Sequence, residues 1–201
     1  MLRLIDAQYF SHDPSSEIKT EAGGRPFFAN RHADFSISHS MNMVAIGYVP
    51  SGAFRIGCDI QFMDECKNMD GIAKRAFSSA ERHFLVSAAD SAERLTRFYQ
   101  IWTFKESYIK LHGLSVFDML KAPDFTRAFF QENSVFCQYR LGNEASEQYI
   151  LYCMWETSNC AKNAGKETCP EVRWFSEAPL YCHALRHAKN VSRETLNPPL
   201  P

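Results

Sequence analysis

The chain has 201 residues, 45% of them hydrophobic and 22% charged, with a formal net charge of −1. That length suffices to bury a real core, as one large domain or two small ones. The near-neutral balance argues against a dedicated nucleic-acid binder, no apolar run reaches membrane-spanning length, and the first residues lack a secretory signal.

The cysteines Cys58, Cys66, Cys137, Cys153, Cys160, Cys169 and Cys182 are odd in number and irregularly spaced, with no CxxC pair. They read as reduced, mostly buried thiols of a cytoplasmic protein, not as a zinc site. In chain order, MLRLIDAQYF has the character of a short strand, and SHDPSSEIKTEAGG that of a loop rich in Ser, Asp, Pro and Gly. Gly24-Arg25-Pro26 makes a turn. Phe35 and Ile37 then alternate with Ser36 and Ser38 as in a half-buried strand whose apolar face carries the two hydrophobic residues. A corner around Ser38 to Asn42 leads into a second strand, Met43 to Val49, placing Ser38, His39 and Ser40 near a hairpin end.

A further strand covers Arg55 to Gln61, with Ile56, Cys58 and Ile60 on one face and Gly57, Asp59 and Gln61 on the other. A short helix follows from Asp70 to Phe77. Ser78 to Glu81 is a capping box that starts another, with Phe84 and Leu85 inward. The run from Asp90 to Gly113 then reads as a long helix. Asp90 and Glu93 cap its start, Gly113 stops it, and Leu95, Phe98, Tyr99, Trp102 and Ile109 form an apolar stripe. Beyond Pro123 the pattern returns to alternation, giving strands over Val135 to Leu141, Tyr149 to Trp155 and Val172 to Phe175, with Gly142-Asn143 as a hairpin corner. The tail from Leu196 to Pro201 is proline-rich. The fold class is α+β.

Within the long helix, Glu106 projects within about 20° of Leu95 and about 40° of Trp102, inside the apolar stripe. An ionised carboxylate aimed there needs a salt bridge to Lys110 one turn on, a raised pKa, or a bound cation. Asp59 on a strand face with Glu106 on a helix is an arrangement that hard, oxygen-seeking cations favour. Mg²⁺ takes one or two carboxylates, keeps waters, and completes its shell with substrate phosphates. Lys105 and Lys110 then read as charge clamps and His39 as a further contact, which points to phosphoryl-transfer chemistry on a diphosphate substrate. A Ser38-His39-Asp59 hydrolase triad fits poorly, because neighbours on a strand face opposite ways and no G-x-S-x-G elbow exists. A metal-dependent nuclease is a weaker reading at this net charge.

Several segments resemble motifs of the Sfp-type 4'-phosphopantetheinyl transferases. Gly57-Cys58-Asp59-Ile60-Gln61 is similar to their G-[IV]-D-[IV]-E strand, and Trp102-Thr103-Phe104-Lys105-Glu106-Ser107-Tyr108-Ile109-Lys110 to their W-x-x-K-E-[AS]-x-x-K helix. Phe35-Ser36-Ile37-Ser38-His39-Ser40 resembles F-[NS]-[IL]-S-H-S, Gly24-Arg25-Pro26 resembles G-[KR]-P, and Ala73 to Ser78 resembles A-x-R-F-F-S. Each motif is weak alone, but their order and spacing from about Gly24 to Val116 are specific.

The resemblance implies transfer of the phosphopantetheine arm of coenzyme A to a serine of an acyl or peptidyl carrier protein, with release of 3',5'-ADP, as in a holo-[acyl-carrier-protein] synthase-type enzyme of lipid, polyketide or nonribosomal peptide biosynthesis. It makes Asp59, Gln61 and Glu106 ligands of Mg²⁺, with Mn²⁺ as the alternative ion. Glu106 and Lys110 become the catalytic pair, and Arg25, Ser38, His39, Lys105 and Lys110 hold coenzyme A. The implied fold has two pseudo-symmetric lobes of antiparallel strands with packed helices. Its first lobe is shortened to residues 1–55, the second spans 56–190 with the magnesium and catalytic motifs, and 191–201 is the tail. The expected state is a monomer, with a dimer as the alternative. The chain departs from the pattern at Gln61, where an acid is usual, in a shorter loop after Lys110, and in the short stretch before Gly24. Those departures make a relative that binds coenzyme A or carrier without transfer the alternative reading.

Overall fold

A computed structural model describes residues 17–50, 54–130, 136–143, 146–157 and 181–184. Its elements, in chain order, begin with four strands: β1 (Ile18–Thr20), β2 (Pro26–Phe28), β3 (Ala33–Ser40) and β4 (Met43–Pro50). β5 (Phe54–Phe62) precedes the helices α1 (Met69–Ala76), α2 (Ser79–Val86) and α3 (Ser91–His112), a 3₁₀ turn (Val116–Lys121) and α4 (Phe125–Phe130). β6 (Phe136–Asn143), β7 (Ser146–Thr157) and β8 (Tyr181–Ala184) complete the described elements. The class is α+β with antiparallel pairing: β1 with β2, β3 with β4, and a larger sheet in the order β5-β7-β6-β8.

Local chemistry accounts for the element ends. Ser78 accepts the Glu81 amide while Glu81 takes the Ser78 amide, a complete capping box. The Asp90 side chain accepts the Glu93 amide at the start of α3, and Gly113 closes it in the left-handed conformation at φ 64°. α3 is buried on most of its circumference, through Phe98, Ile101, Phe104, Ile109 and Leu111, and a narrower stripe was the sequence expectation. The difference arises because α3 packs at once on the β5–β7 face and on the shorter helices, sharing a core with Phe77, Leu85, Met119, Phe125, Ile150, Tyr152 and Met154. The opposite face of β5 and β7, with Cys58, Ile60, Leu151, Cys153 and Trp155, packs on Ala45 of β4.

Three local expectations are corrected. Part of the expected SHDPSSEIKTEAGG loop is strand β1, which pairs Ile18 with Phe28. Gly142 and Asn143 lie within β6, and Asn143 pairs with Ser146 of β7. In β3 Phe35 is buried as expected, but Ser36 and Ser38 are buried too and Ile37 is exposed. The expected strand at 172–175, the Met1–Phe10 strand and the 196–201 tail lie outside the described residues.

The facing of β3 follows from how it meets β5. The Asp34 carboxylate and the Ser36, Ser38 and Ser40 hydroxyls accept, in turn, the backbone amides of Ile56, Cys58, Ile60 and Phe62 at 2.8, 3.0, 3.2 and 2.8 Å. These amides point away from β7, on the open rim of the large sheet. An unpaired buried amide costs about 1–3 kcal/mol, so a strand carrying an acceptor at every second position gains more by turning those acceptors inward than by burying Ile37.

Candidate active site

The site begins with the absence of a side chain at Gly57. A Cβ placed there would lie 2.2 Å from the Ser107 carbonyl oxygen and 2.6 Å from the Leu111 nitrogen. Glycine therefore lets α3 lie directly on β5, with Glu106 and Lys110 brought to the odd-numbered face that carries Asp59 and Gln61.

Arg25 fixes the end of that helix. Its guanidinium grips Asp34 through two bonds of 2.9 and 2.5 Å, and donates to the Ile56 carbonyl at 3.0 Å and the Lys110 carbonyl at 3.1 Å. A cation at the C-terminal carbonyls complements the helix dipole. The Gly24-Arg25-Pro26 turn thereby joins β3, β5 and α3.

Asp59 is only 1% exposed. Its Oδ1 accepts from Lys110 Nζ at 2.6 Å and from Ser38 Oγ at 2.7 Å, and its Oδ2 accepts from Gln61 Nε2 at 3.0 Å. Ser38 uses its hydroxyl fully, donating to Asp59 while accepting from Lys110 Nζ at 2.8 Å and from the Ile60 amide at 3.2 Å. Lys110 thus pairs across to β5, and not with Glu106 along its own helix, one of the three compensations open to that carboxylate. Burial, and then the negative charge of Asp59, push the Glu106 carboxyl up to about 7 despite the opposing pull of Lys110.

The structure therefore brings together Ser38, Asp59, Gln61, Glu106 and Lys110. Three other candidates lie apart. The Arg25 side chain is 4% exposed and engaged with Asp34 and two carbonyls, which leaves it a joint between elements. His39 sits on the exposed face of β3, opposite to the Ser38 face. Lys105, expected near the helix margin as a phosphate clamp, is 1% exposed in the core, paired with Glu81 at 3.1 Å and donating to the Met119 carbonyl at 3.1 Å. Its neighbour in sequence faces the site, so at helical spacing it points away from it.

Sequence reasoning missed Asp34 and the structural use of Ser36, Ser38 and Ser40. The signal was present as a polar residue at every second position of β3, Asp34 to Ser40.

The donor set suits a hard divalent cation. Two carboxylates stand on separate elements, Glu106 raised by burial and then by the charge of Asp59, and beside Asp59 lies the Gln61 amide, whose oxygen can ligate. Among the described residues no group of three or more His, Cys, Asp or Glu converges, and Gln61 adds a neutral amide beside the two acids.

The segment that builds this geometry matches known proteins. Residues 55–156 fit the family model of the 4'-phosphopantetheinyl transferase superfamily. The chain is similar to 4'-phosphopantetheinyl transferase HetI of Nostoc sp., 30% identical over 120 residues, which are 56% of this chain and 48% of that protein. It is 31% identical over 108 residues to 4'-phosphopantetheinyl transferase AcpT of Salmonella typhimurium, covering 53% of this chain and 55% of the relative. A phosphopantetheinyl transferase of Thraustochytrium sp. is 28% identical over 140 residues, 63% of this chain and 48% of its own length. The chain spans about half the length of these curated relatives. With α3 and all but one end residue each of β5 and β7, and hence Asp59, Glu106 and Lys110, inside the matched half, the chain belongs to the 4'-phosphopantetheinyl transferase superfamily.

Proposed function

We propose that this chain, acting in the cytoplasm, transfers the 4'-phosphopantetheine arm of coenzyme A to a serine of an acyl or peptidyl carrier protein, as a holo-[acyl-carrier-protein] synthase-type enzyme. The observation that carries the reading is the junction of Asp59, Glu106 and Lys110 between β5 and α3, within the segment that matches the family.

Asp59, Gln61 and Glu106 would hold Mg²⁺, or Mn²⁺ in its place. A bound ion of this kind supplies charge neutralisation for the diphosphate of coenzyme A. The protein's own part is acid–base and electrostatic. Glu106 takes the proton of the carrier serine as the serine oxygen bonds to the β-phosphorus. Lys110 faces the charge that gathers on the leaving phosphate as the bridging P–O bond breaks and 3',5'-ADP departs. Ser38 orients Asp59 and Lys110 through its hydroxyl. In this reading His39, on the exposed face of β3, is the remaining contact for coenzyme A, and Arg25 serves by holding α3 in place. The chain is read as two pseudo-symmetric lobes, 1–55 and 56–190, with a tail. The contact of β3 with β5 through side chains, and not through a shared main-chain ladder, supports that division.

One observation favours a second reading, a relative that binds coenzyme A or carrier without transfer. Gln61 offers no charge and its amide donates to Asp59. Incubation with Mg²⁺, coenzyme A and several apo carrier proteins, followed by mass spectrometry of each carrier, separates the two. Gain of the phosphopantetheine mass supports transfer. Binding by calorimetry without that gain on any carrier supports the second reading.

A further inference from the structure

We infer that Lys110 occupies the cation's place on Asp59 in the metal-free protein, and that a divalent ion enters by displacing the Lys110 side chain and turning its ammonium toward the substrate's diphosphate. The inference rests on the cation site proposed above and concerns what this chain's own residues do when that site fills.

Asp59 Oδ1 already accepts from both Ser38 and Lys110, so an ion that takes this oxygen dislodges one of them, while an ion on Oδ2 meets the Gln61 amide. Ser38 is tied to β5 through the Ile60 amide and lies in a buried row of similar contacts. Gln61 is neutral and needs only to rotate its amide to present oxygen in place of nitrogen. Lys110 alone carries a charge that a cation repels, and its side chain is 30% exposed beside an Asp59 side chain that is 2% exposed. It also sits on a flexible four-carbon stem.

The movement is confined to that stem. The Lys110 carbonyl accepts from Arg25 Nε at 3.1 Å and from the Gly113 amide at 3.4 Å, which anchors the backbone as the side chain swings. One carboxylate therefore has two alternative counter-ions. Filling the site with a metal releases a positive charge to the phosphates, so the two ligands strengthen one another's binding.

The test uses Mn²⁺ alone, followed by the spin-resonance signal of the free ion, on wild type, Lys110→Met and Asp59→Asn without coenzyme A. The expected result is binding to wild type, binding about tenfold tighter to Lys110→Met because one nearby positive charge is gone, and loss of binding in Asp59→Asn. In parallel, Lys110 of the wild type is labelled with an amine reagent and read by peptide mass, with labelling expected to speed up several-fold when Mn²⁺ saturates. Wild-type binding with equal or weaker binding by a folded Lys110→Met overturns the inference and leaves the cation site standing. Labelling of Lys110 that is unchanged by saturating Mn²⁺ overturns it as well, whether or not the variant folds. Failure of every protein to bind Mn²⁺ overturns the inference together with the cation site.

Discussion

Gly57 and Ser107 meet backbone to backbone, close enough that a methyl group on Gly57 would fall 2.2 Å from the Ser107 carbonyl oxygen. No flexible side chain is available to give way at that point, so Gly57→Ala must lift α3 from β5. The expected cost is about 1–3 kcal/mol, as for other overpacked interiors, which is about 2–4 °C of melting temperature per kcal/mol for a chain of this size. Transfer to a carrier should fall further than stability does, because Glu106 and Lys110 move with the helix. Melting curves and carrier mass spectrometry on one preparation check both parts.

Removal of either acid addresses the proposed chemistry. Asp59→Ala and Glu106→Ala should each reduce transfer by at least about 100-fold while circular dichroism stays near that of wild type. Glu106 is half-buried and its removal relieves a desolvated charge, so a stable inactive Glu106→Ala is the sharper of the two tests. Full activity in either variant would reject the assignment of these residues.

The raised Glu106 carboxyl makes stability depend on pH in a definite direction. Its folded value of about 7 lies above the ordinary 4.5. Between those limits the native state retains a proton that the unfolded chain has lost, so stability falls as pH rises through the window and is level above it. Discounted for the solvent that reaches the group, the loss is about 2 kcal/mol. Urea unfolding of chelator-treated protein at pH 5 and pH 8 should show this loss in wild type, and Glu106→Gln should remove it. An identical loss in the variant would assign the effect to another group.

The row of acceptors on β3 gives a prediction without any catalytic content. Ser36→Ala leaves the Cys58 amide unpaired and buried, at a cost of about 1–3 kcal/mol. A Ser40→Ala change at the half-buried end should cost less, since water can reach the Phe62 amide. Equal melting temperatures for wild type and Ser36→Ala would show that the amide finds another partner.

Gln61→Glu exchanges a donor to Asp59 for a like charge. The metal-free variant should melt at a lower temperature than wild type, and added Mg²⁺ should raise its melting temperature by more. Its transfer rate at low Mg²⁺ should increase. A variant unaffected by Mg²⁺ in both respects would remove position 61 from the ligand set.

What could be read from the sequence was what neighbours in the chain decide. The capping residues Ser78, Asp90 and Gly113, and the alternation that sets Asp59 and Gln61 on one face of β5, need no distant partner. Partners far along the chain decided the rest. Lys105 is in the core because Glu81 and the Met119 carbonyl are there to receive it. Arg25 is buried because Asp34 and two carbonyls converge on it. Ile37 faces solvent because β5 presents four amides that only the opposite face of β3 can accept. Polar residues at alternate positions normally mark the wet side of a strand, and here they mark the dry one.

The acceptor row also bears on how this protein behaves in a crowded solution. An outer strand with free amides invites a neighbouring extended chain to dock by main-chain pairing. Along β5 those amides already serve hydroxyl and carboxylate groups from the same molecule, so an intruding peptide finds no donors to recruit. The strand that presents Asp59 is thus sealed against self-association at its rim, while its flat face stays reserved for the helix that brings Glu106 and Lys110.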